Sequence, residues 1–344
     1  MPVTRVSDVV VPEIFLPAVR EFDETKSALL ASGAVVRSPF LDNFLAGGGL
    51  GVNVPTVRTL EDTDPNVSND DPDDFATPEK LSMGSQYTVR RSLNKAWATM
   101  DLAAALASID PITEIARMVG AYRQKAMQRA VIACIRGVIA DNIAAPDADE
   151  HVQGDMIYDV SVDGAGAPVA YTPGITTFEG KHVIRGKLTA GDSMEDLSLM
   201  FMHSVVHASA QEKNLIQFNR ESDATRFGTY MGMTIIVDDG LPQSNGVFDT
   251  IIMGPGAIQM GVGAPLNPLE YDRVPLSGNG GGQDHLINRW EQAIHPVGYA
   301  MTGNFPDGGP SVATLADGTT WKRVYGDRKQ IKFAVVRTRE FAAA

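Results

Sequence analysis

The stretch D-P-I-T-E-I-A-R-M-V-G-A-Y-R-Q-K-A-M-Q-R-A-V-I-A-C-I-R-G-V-I-A-D-N-I-A-A-P, from Asp110 to Pro146, decides how this chain must fold. Asp110 can cap a helix N-terminus, Pro111 suits the first helical position, and Glu114 complements the positive end of the helix dipole. Ile112, Ile115, Val119 and Tyr122 fall at three-and-four spacing, and Met127, Val131, Ile135 and Val138 carry the apolar stripe on until Pro146 stops it. A helix of about thirty residues rising roughly 1.5 Å per residue is about 45 to 50 Å long, more than twice the usual length. No heptad is sustained through it, so the reading is a single strut across the domain rather than a coiled coil.

Upstream, Pro2 to Val57 mixes short apolar runs with Pro12, Pro17, Pro39 and Pro55 and the cluster Gly47 to Gly49, which predicts an extended arm with one short helix near Val19 to Leu30. A strand-like piece, G-V-N-V-P-T-V-R-T-L, follows from Gly51. After an acidic stretch from Glu61 to Glu79, Leu81, Met83, Tyr87 and Val89 recur with period two. Two such runs joined by a polar segment predict a long hairpin. Its tip, with Asp62, Asp64, Asp70, Asp71, Asp73 and Asp74 among Pro65, Pro72 and Pro78, is too polar to bury and must meet solvent or a neighbour.

Downstream of a glycine-rich interval from Gly154 to Gly180, a second helix is predicted from Ser193 to about Lys213. Asp196 would close a capping box there, and Leu197, Met200, Phe201, Ser204 and Val205 would share one side. Strands are predicted at Thr229 to Val237, Asp249 to Met253, Ile294 to Met301 and Lys329 to Val336. Strands around two helices without regular alternation give an α+β class, and no internal repeat points to a solenoid or propeller.

The 344 residues are 44% hydrophobic and 21% charged, enough for a sizeable core. No run of apolar residues is long enough to cross a membrane, and Asp8, Pro12, Glu13 and Pro17 break up the start where a secretory signal needs an apolar core. The lone Cys134 sits in V-I-A-C-I, so no intrachain disulfide is possible, which fits a reducing compartment. A net charge of -13 argues against a general nucleic-acid binder, because phosphate binding depends on clustered Lys and Arg; any such contact is expected to be weak or local.

No catalytic, cofactor-binding or metal-binding residue is assigned. His203 and His207 lie four apart, the spacing that zinc proteases use, but Ser204 stands where the glutamate belongs. His151, His182, His285 and His295 are scattered without a ligand pattern. Asp62, Asp64, Asn66, Ser68, Asp70 and Asp73 imitate a calcium loop, yet Val67 replaces its glycine, Asp73 its bidentate glutamate, and Pro65 stiffens the middle. G-P-G-A-I-Q-M-G-V-G (Gly254 to Gly263) and S-G-N-G-G-G-Q-D (Ser277 to Asp284) lack the order of a phosphate loop and read as turns. No G-x-S-x-G elbow occurs, and the apolar setting of Cys134 disfavours a nucleophile.

Taken together, the proline-punctuated arm, the acidic loop and R-R-S-L-N-K-A-W-A-T-M-D-L-A (Arg90 to Ala103) leading into D-P-I-T-E-I-A resemble the major capsid proteins of tailed bacteriophages, which share the phage Hong Kong 97 fold. In many of them an equivalent W-x-x-x-D-L-A segment precedes the long spine helix. K-N-L-I-Q-F (Lys213 to Phe218) and Y-M-G-M-T-I-I-V-D-D-G-L-P (Tyr230 to Pro242) look like that family's axial-domain strand and closing turn. The order and spacing of these degenerate motifs carry the resemblance.

The resemblance implies an N-terminal arm over 1–50, an extended loop over 51–101, a spine helix from Asp110 to Ala144 within a peripheral domain over 102–193, an axial domain over 194–301 and a return to the peripheral domain over 302–344. It implies a structural protein and not an enzyme, self-assembling through pentamers and hexamers into an icosahedral shell around double-stranded DNA. It also implies localisation in the virion after assembly in the host cytoplasm, a separate scaffolding protein, portal and decoration partners, and no membrane. Two alternatives are an encapsulin-like nanocompartment shell and a metal-dependent hydrolase using His203 and His207.

Overall fold

The computed structural model describes residues 32–57, 64–71, 73, 75–81, 83–102, 111–144, 152–163, 166–213, 215–218 and 228–342. In chain order the elements begin with β1 (Val35–Arg37), α1 (Pro39–Ala46), β2 (Gly51–Val57), β3 (Met83–Val89), β4 (Arg91–Met100), α2 (Pro111–Ala144) and β5 (Ile157–Asp159). Then come α3 (Gly180–Leu188), β6 (Leu199–Met202), α4 (Ser204–Glu212), β7 (Gln217–Phe218), β8 (Gly228–Tyr230), β9 (Met233–Val237), β10 (Gln243–Ser244) and β11 (Val247–Met253). The remainder is β12 (Ile258–Gly263), β13 (Leu269–Val274), β14 (Gln283–Pro296), β15 (Tyr299–Met301), α5 (Val312–Leu315), β16 (Trp321–Arg323) and β17 (Phe333–Arg339).

The strut is present as α2, 34 residues long. The capping residue Asp110 lies outside the described residues. The helix is shared between two sheets. The first has five strands in the order β1-β12-β14-β13, with β4 along the other edge of β14. The second has eight, in the order β5-β17-β11-β6-β9-β8-β7 with β10 on β11. Val119, near the helix N-terminus, packs with Leu286 of the first sheet. Further along, Val131, Cys134, Ile135 and Val138 are buried in one core with Ile258 and Ile294 of the first sheet and Phe201, Ile251 and Val335 of the second.

The second sheet is apolar on both faces. Phe201, Ile251, Met253 and Val335 point into the α2 core, while the intervening Met200, Met202, Ile252 and Val336 join a second core under α3 and α4. This explains a correction. Leu199 to Met202, expected inside a helix from Ser193 to Lys213, is strand β6, preceded by a 3₁₀ turn over Gly191–Asp196 and followed by the separate α4. A strand covered on both faces loses polar alternation and cannot be told from a buried helix by periodicity. Asp196 closes no capping box; its carboxylate lies 4.0 Å from Lys332 Nζ.

The sheets draw strands from distant parts of the chain. β4 is part of the first sheet, and the pairing of β2 with β3 runs from Gly51 opposite Val89 to Val57 opposite Met83. β12, β13 and β14 pair with β4 and β1, whereas β17 lies between β5 and β11 of the second sheet. Arg337 fixes that arrangement by gripping Asp249 with Nε at 2.6 Å and Nη2 at 3.0 Å, with Asp159 at 3.5 Å on its other side. The G-P-G-A-I-Q-M-G-V-G stretch holds a turn and then strand β12, whose Gly261 and Gly263 let α1 lie close: a Cβ at either would stand 2.6 Å from Leu41 Cβ or 2.8 Å from Leu45 Cβ. The expected arm helix near Val19 to Leu30 lies outside the described residues; α1, starting at Pro39, was not expected.

Gly137 tests how tightly α2 is held. Glycine inside a helix ordinarily costs about 1 kcal/mol against alanine. Here a methyl group would run into the Leu315 carbonyl oxygen and Trp321 Nε1, which are themselves hydrogen-bonded at 2.8 Å. Gly137→Ala is therefore expected to destabilise the subunit by about 1–3 kcal/mol, the range for overpacking, read as a lower midpoint in thermal unfolding. A midpoint at or above that of the unsubstituted chain would mean that Leu315 and Trp321 move away freely.

Candidate assembly surfaces

The hairpin of β2 and β3 is the segment that leaves the body. β2 and β3 pair antiparallel from Gly51 opposite Val89 out to Val57 opposite Met83. Gly51 is required because the ring of Tyr87 covers it where a side chain would stand. Beyond Val57, every described tip residue from Asp64 to Leu81 is exposed. Two hydrogen bonds within it are local: Asn69 Oδ1 accepts from the Asp71 amide and Asp71 Oδ1 from the Asp73 amide. Apolar side chains sit among the charges, with Phe75 83% and Met83 74% exposed. Large apolar groups held out in water together mark a surface that another molecule covers.

The root of the hairpin is built in the opposite way. Gln86, buried, donates to Thr56 Oγ1 at 2.9 Å and accepts from the Gly298 amide at 3.1 Å. Thr88 Oγ1 lies 2.7 Å from His295 Nδ1. The Arg90 guanidinium donates to the carbonyls of Leu45 at 2.8 Å and Gly47 at 2.6 Å, occupying acceptors that the end of α1 leaves open. Arg91 is fully buried, donates to the Pro310 carbonyl at 2.7 Å, and has its pKa lowered by desolvation to about 10. These locks join residues from 30 to 219 positions apart in sequence, so no local pattern could reveal them.

The sequence candidates for chemistry come apart. His203 is the N-cap of α4: its Nδ1 accepts from the Val205 amide at 3.2 Å and its Nε2 is 3.7 Å from Asp239. His207 lies inside the helix, where burial lowers its pKa. Neither is joined by a third ligand, and among the described residues no three His, Cys, Asp or Glu side chains converge as a metal site would need. In the acidic tip, Asp64, Asn66, Ser68, Asp70 and Asp73 are splayed into solvent, while Asp62 is outside the described residues. Cys134 is buried, and desolvation raises its thiol pKa. No described helix is long and apolar enough to cross a membrane.

No family model matches the chain. It is 34% identical over 338 residues to the major capsid protein of Bacillus phage SPP1, covering 96% of both proteins. Among solved structures it superposes on the capsid of Ralstonia phage GP4 with a TM-score of 0.59 at 9% identity, over 90% of this chain and 88% of that one. It matches the capsid asymmetric unit of cyanophage Pam1 with a TM-score of 0.54 at 10% identity, over 88% and 87%. At such identities the structural likeness speaks for the fold alone.

His295 makes the root measurable. Burial lowers its pKa from 6.5 to about 4, so the unfolded chain takes up a proton first as pH falls. The neutral imidazole thus contributes stability that is intact above pH 6.5 and lost on approach to about pH 4, at most about 3 kcal/mol. Unfolding of His295→Gln, followed across that window, should show a shallower loss of stability than the unsubstituted chain; parallel curves would exclude His295 as the titrating group.

Proposed function

The chain belongs to the major capsid proteins of tailed phages, and from that premise we propose that the projecting hairpin is the element by which its copies overlap. The protein has the Hong Kong 97-type fold and is a structural component of the virion, building the capsid shell from many copies. One observation carries the proposal: the described tip residues are all exposed, Phe75 among them, while the root is fastened to α1, β14 and the turn before β15. A fixed root and an uncovered, partly apolar tip suit heterologous contacts that close into rings.

In this reading the first sheet with the N-terminal half of α2 forms the peripheral unit, and the second sheet with α3 and α4 forms the axial unit around five-fold and six-fold axes. Pentamers and hexamers assemble in the host cytoplasm into an icosahedral shell. The identity to a phage capsid protein favours a virion over an encapsulin-like compartment, and the engagement of His203 Nδ1 as the cap of α4 disfavours a hydrolase built on His203 and His207. Assembly relies on a separate scaffolding protein, with portal and decoration proteins as further partners and double-stranded DNA as contents. Expressed alone, the chain is then expected to give aggregates or irregular shells in electron micrographs; uniform closed shells would overturn the scaffolding requirement.

The hairpin itself can be cut cleanly, because Val57 and Met83 are directly opposite. Replacing residues 58–82 by an Asn-Gly pair closes the strands with a two-residue turn. Stability of the subunit should stay within about 0.5 kcal/mol, as for surface changes remote from packed groups, while closed particles disappear from sucrose gradients and micrographs. Normal particle yield from the shortened chain would contradict the proposal.

A further inference from the structure

An acidic chain carries one segment with the opposite charge. Between residues 115 and 140 there is no Asp or Glu, yet Arg117, Arg123, Lys125, Arg129 and Arg136 all occur there, in a protein of net charge -13. At 3.6 residues per turn, Lys125, Arg129 and Arg136 fall within about 40° of one line along α2, spanning roughly 16 Å. All three are exposed, and among the described residues none has an acidic partner. Arg129 Nε donates to the Lys125 carbonyl at 3.3 Å, which holds that side chain along the line.

The line ends in a built cleft. Arg136 lines a recess of about 380 Å³ at the edge of the second sheet, together with Arg337 and Arg339. The charge of Arg337 is met by Asp249 and Asp159. Arg339 is only 8% exposed, and its Nε has no partner, although Nη1 donates to the Asn245 carbonyl at 3.3 Å. A buried guanidinium with an open donor and an exposed arginine facing the same recess are a receptor for an anion.

We infer that this cationic line and its terminal cleft are where the shell wall meets the phosphate backbone of packaged double-stranded DNA, so that this face of α2 points into the capsid. The inference rests on the capsid reading. A track of roughly 16 Å faces about ten phosphate charges of a duplex, at one per about 1.7 Å of its axis. The acidic tip of a second copy is the competing anion, but it carries Val67 and Phe75 beside its aspartates, and between Lys125 and Arg136 no large apolar side chain is exposed, Met118 and Ile143 lying on the same face only beyond the two ends. Lysine and arginine on phosphates hold position without reading sequence, as a wall for any genome requires. A few contacts per subunit, against the repulsion of the remaining acidic surface, keep the DNA near the wall without fixing it.

Lys125 reports the contact directly. DNA-filled particles and DNA-free shells of the same lattice are treated with an amine-acylating reagent, and modification is read by peptide mass spectrometry. Lys125 should react several-fold more slowly in filled particles, with the exposed Lys95 unchanged between the two. Equal reactivity of Lys125 in both would overturn the inference, and protection in both would show a protein segment on the line and overturn it as well. If the unsubstituted chain were absent from the shells made in infected cells, the capsid reading itself would have failed. As a second measurement, short duplex DNA is bound to permeable DNA-free shells of a Lys125→Ala, Arg129→Ala, Arg136→Ala variant. The slope of log affinity against log salt should fall by about 2.7, near 0.9 per lost phosphate contact, and an unchanged slope would also overturn it.

Discussion

One long helix buried against two sheets at once is the constraint on which this subunit depends. Over its C-terminal half, α2 is buried all round from Ala130 to Ile135, and Val131, Cys134, Ile135 and Val138 share a core with strands of both sheets. Over its N-terminal half it leans on the first sheet through Val119 and leaves Lys125 in water. A rod shared in this way couples the two sheets, since neither can shift without opening cavities around the same side chains. Gly137 and the Leu315–Trp321 contact close the last side of that packing.

The same division of labour separates the rigid from the uncovered parts. The hairpin root is fastened by buried polar contacts at Gln86, Thr88, Arg90 and Arg91, which belong to segments distant in sequence. Its tip contributes nothing to the core. A subunit with that layout is complete in its body and incomplete in its projection, as expected of a piece whose remaining contacts come from identical pieces.

What could be read in the sequence follows the strength of local signals. The spine helix was legible to within a residue or so at each end because proline, capping and three-and-four spacing coincide between Asp110 and Pro146. The hairpin was legible because its second strand alternates. Leu199 to Met202 was misread, since a strand buried on both faces has no alternation to display. Strands β12 and β13 were hidden for other reasons: β12 by glycines that admit α1, and β13 by its charged, exposed residues. The sheet to which β17 belongs was beyond local reading altogether, because Arg337 finds Asp249 only across 88 positions. The assembly surface was visible as a composition, while the locks at its root were not.

The most direct test of the whole account is an electron cryo-microscopy map of the assembled shell at side-chain resolution. The account predicts that Phe75 and Met83 of each hairpin are buried against an adjacent copy while α2 and its two sheets keep the packing seen in the single chain. A map in which the tip folds back onto its own α2 or first sheet, with no neighbouring copy covering Phe75, would contradict it.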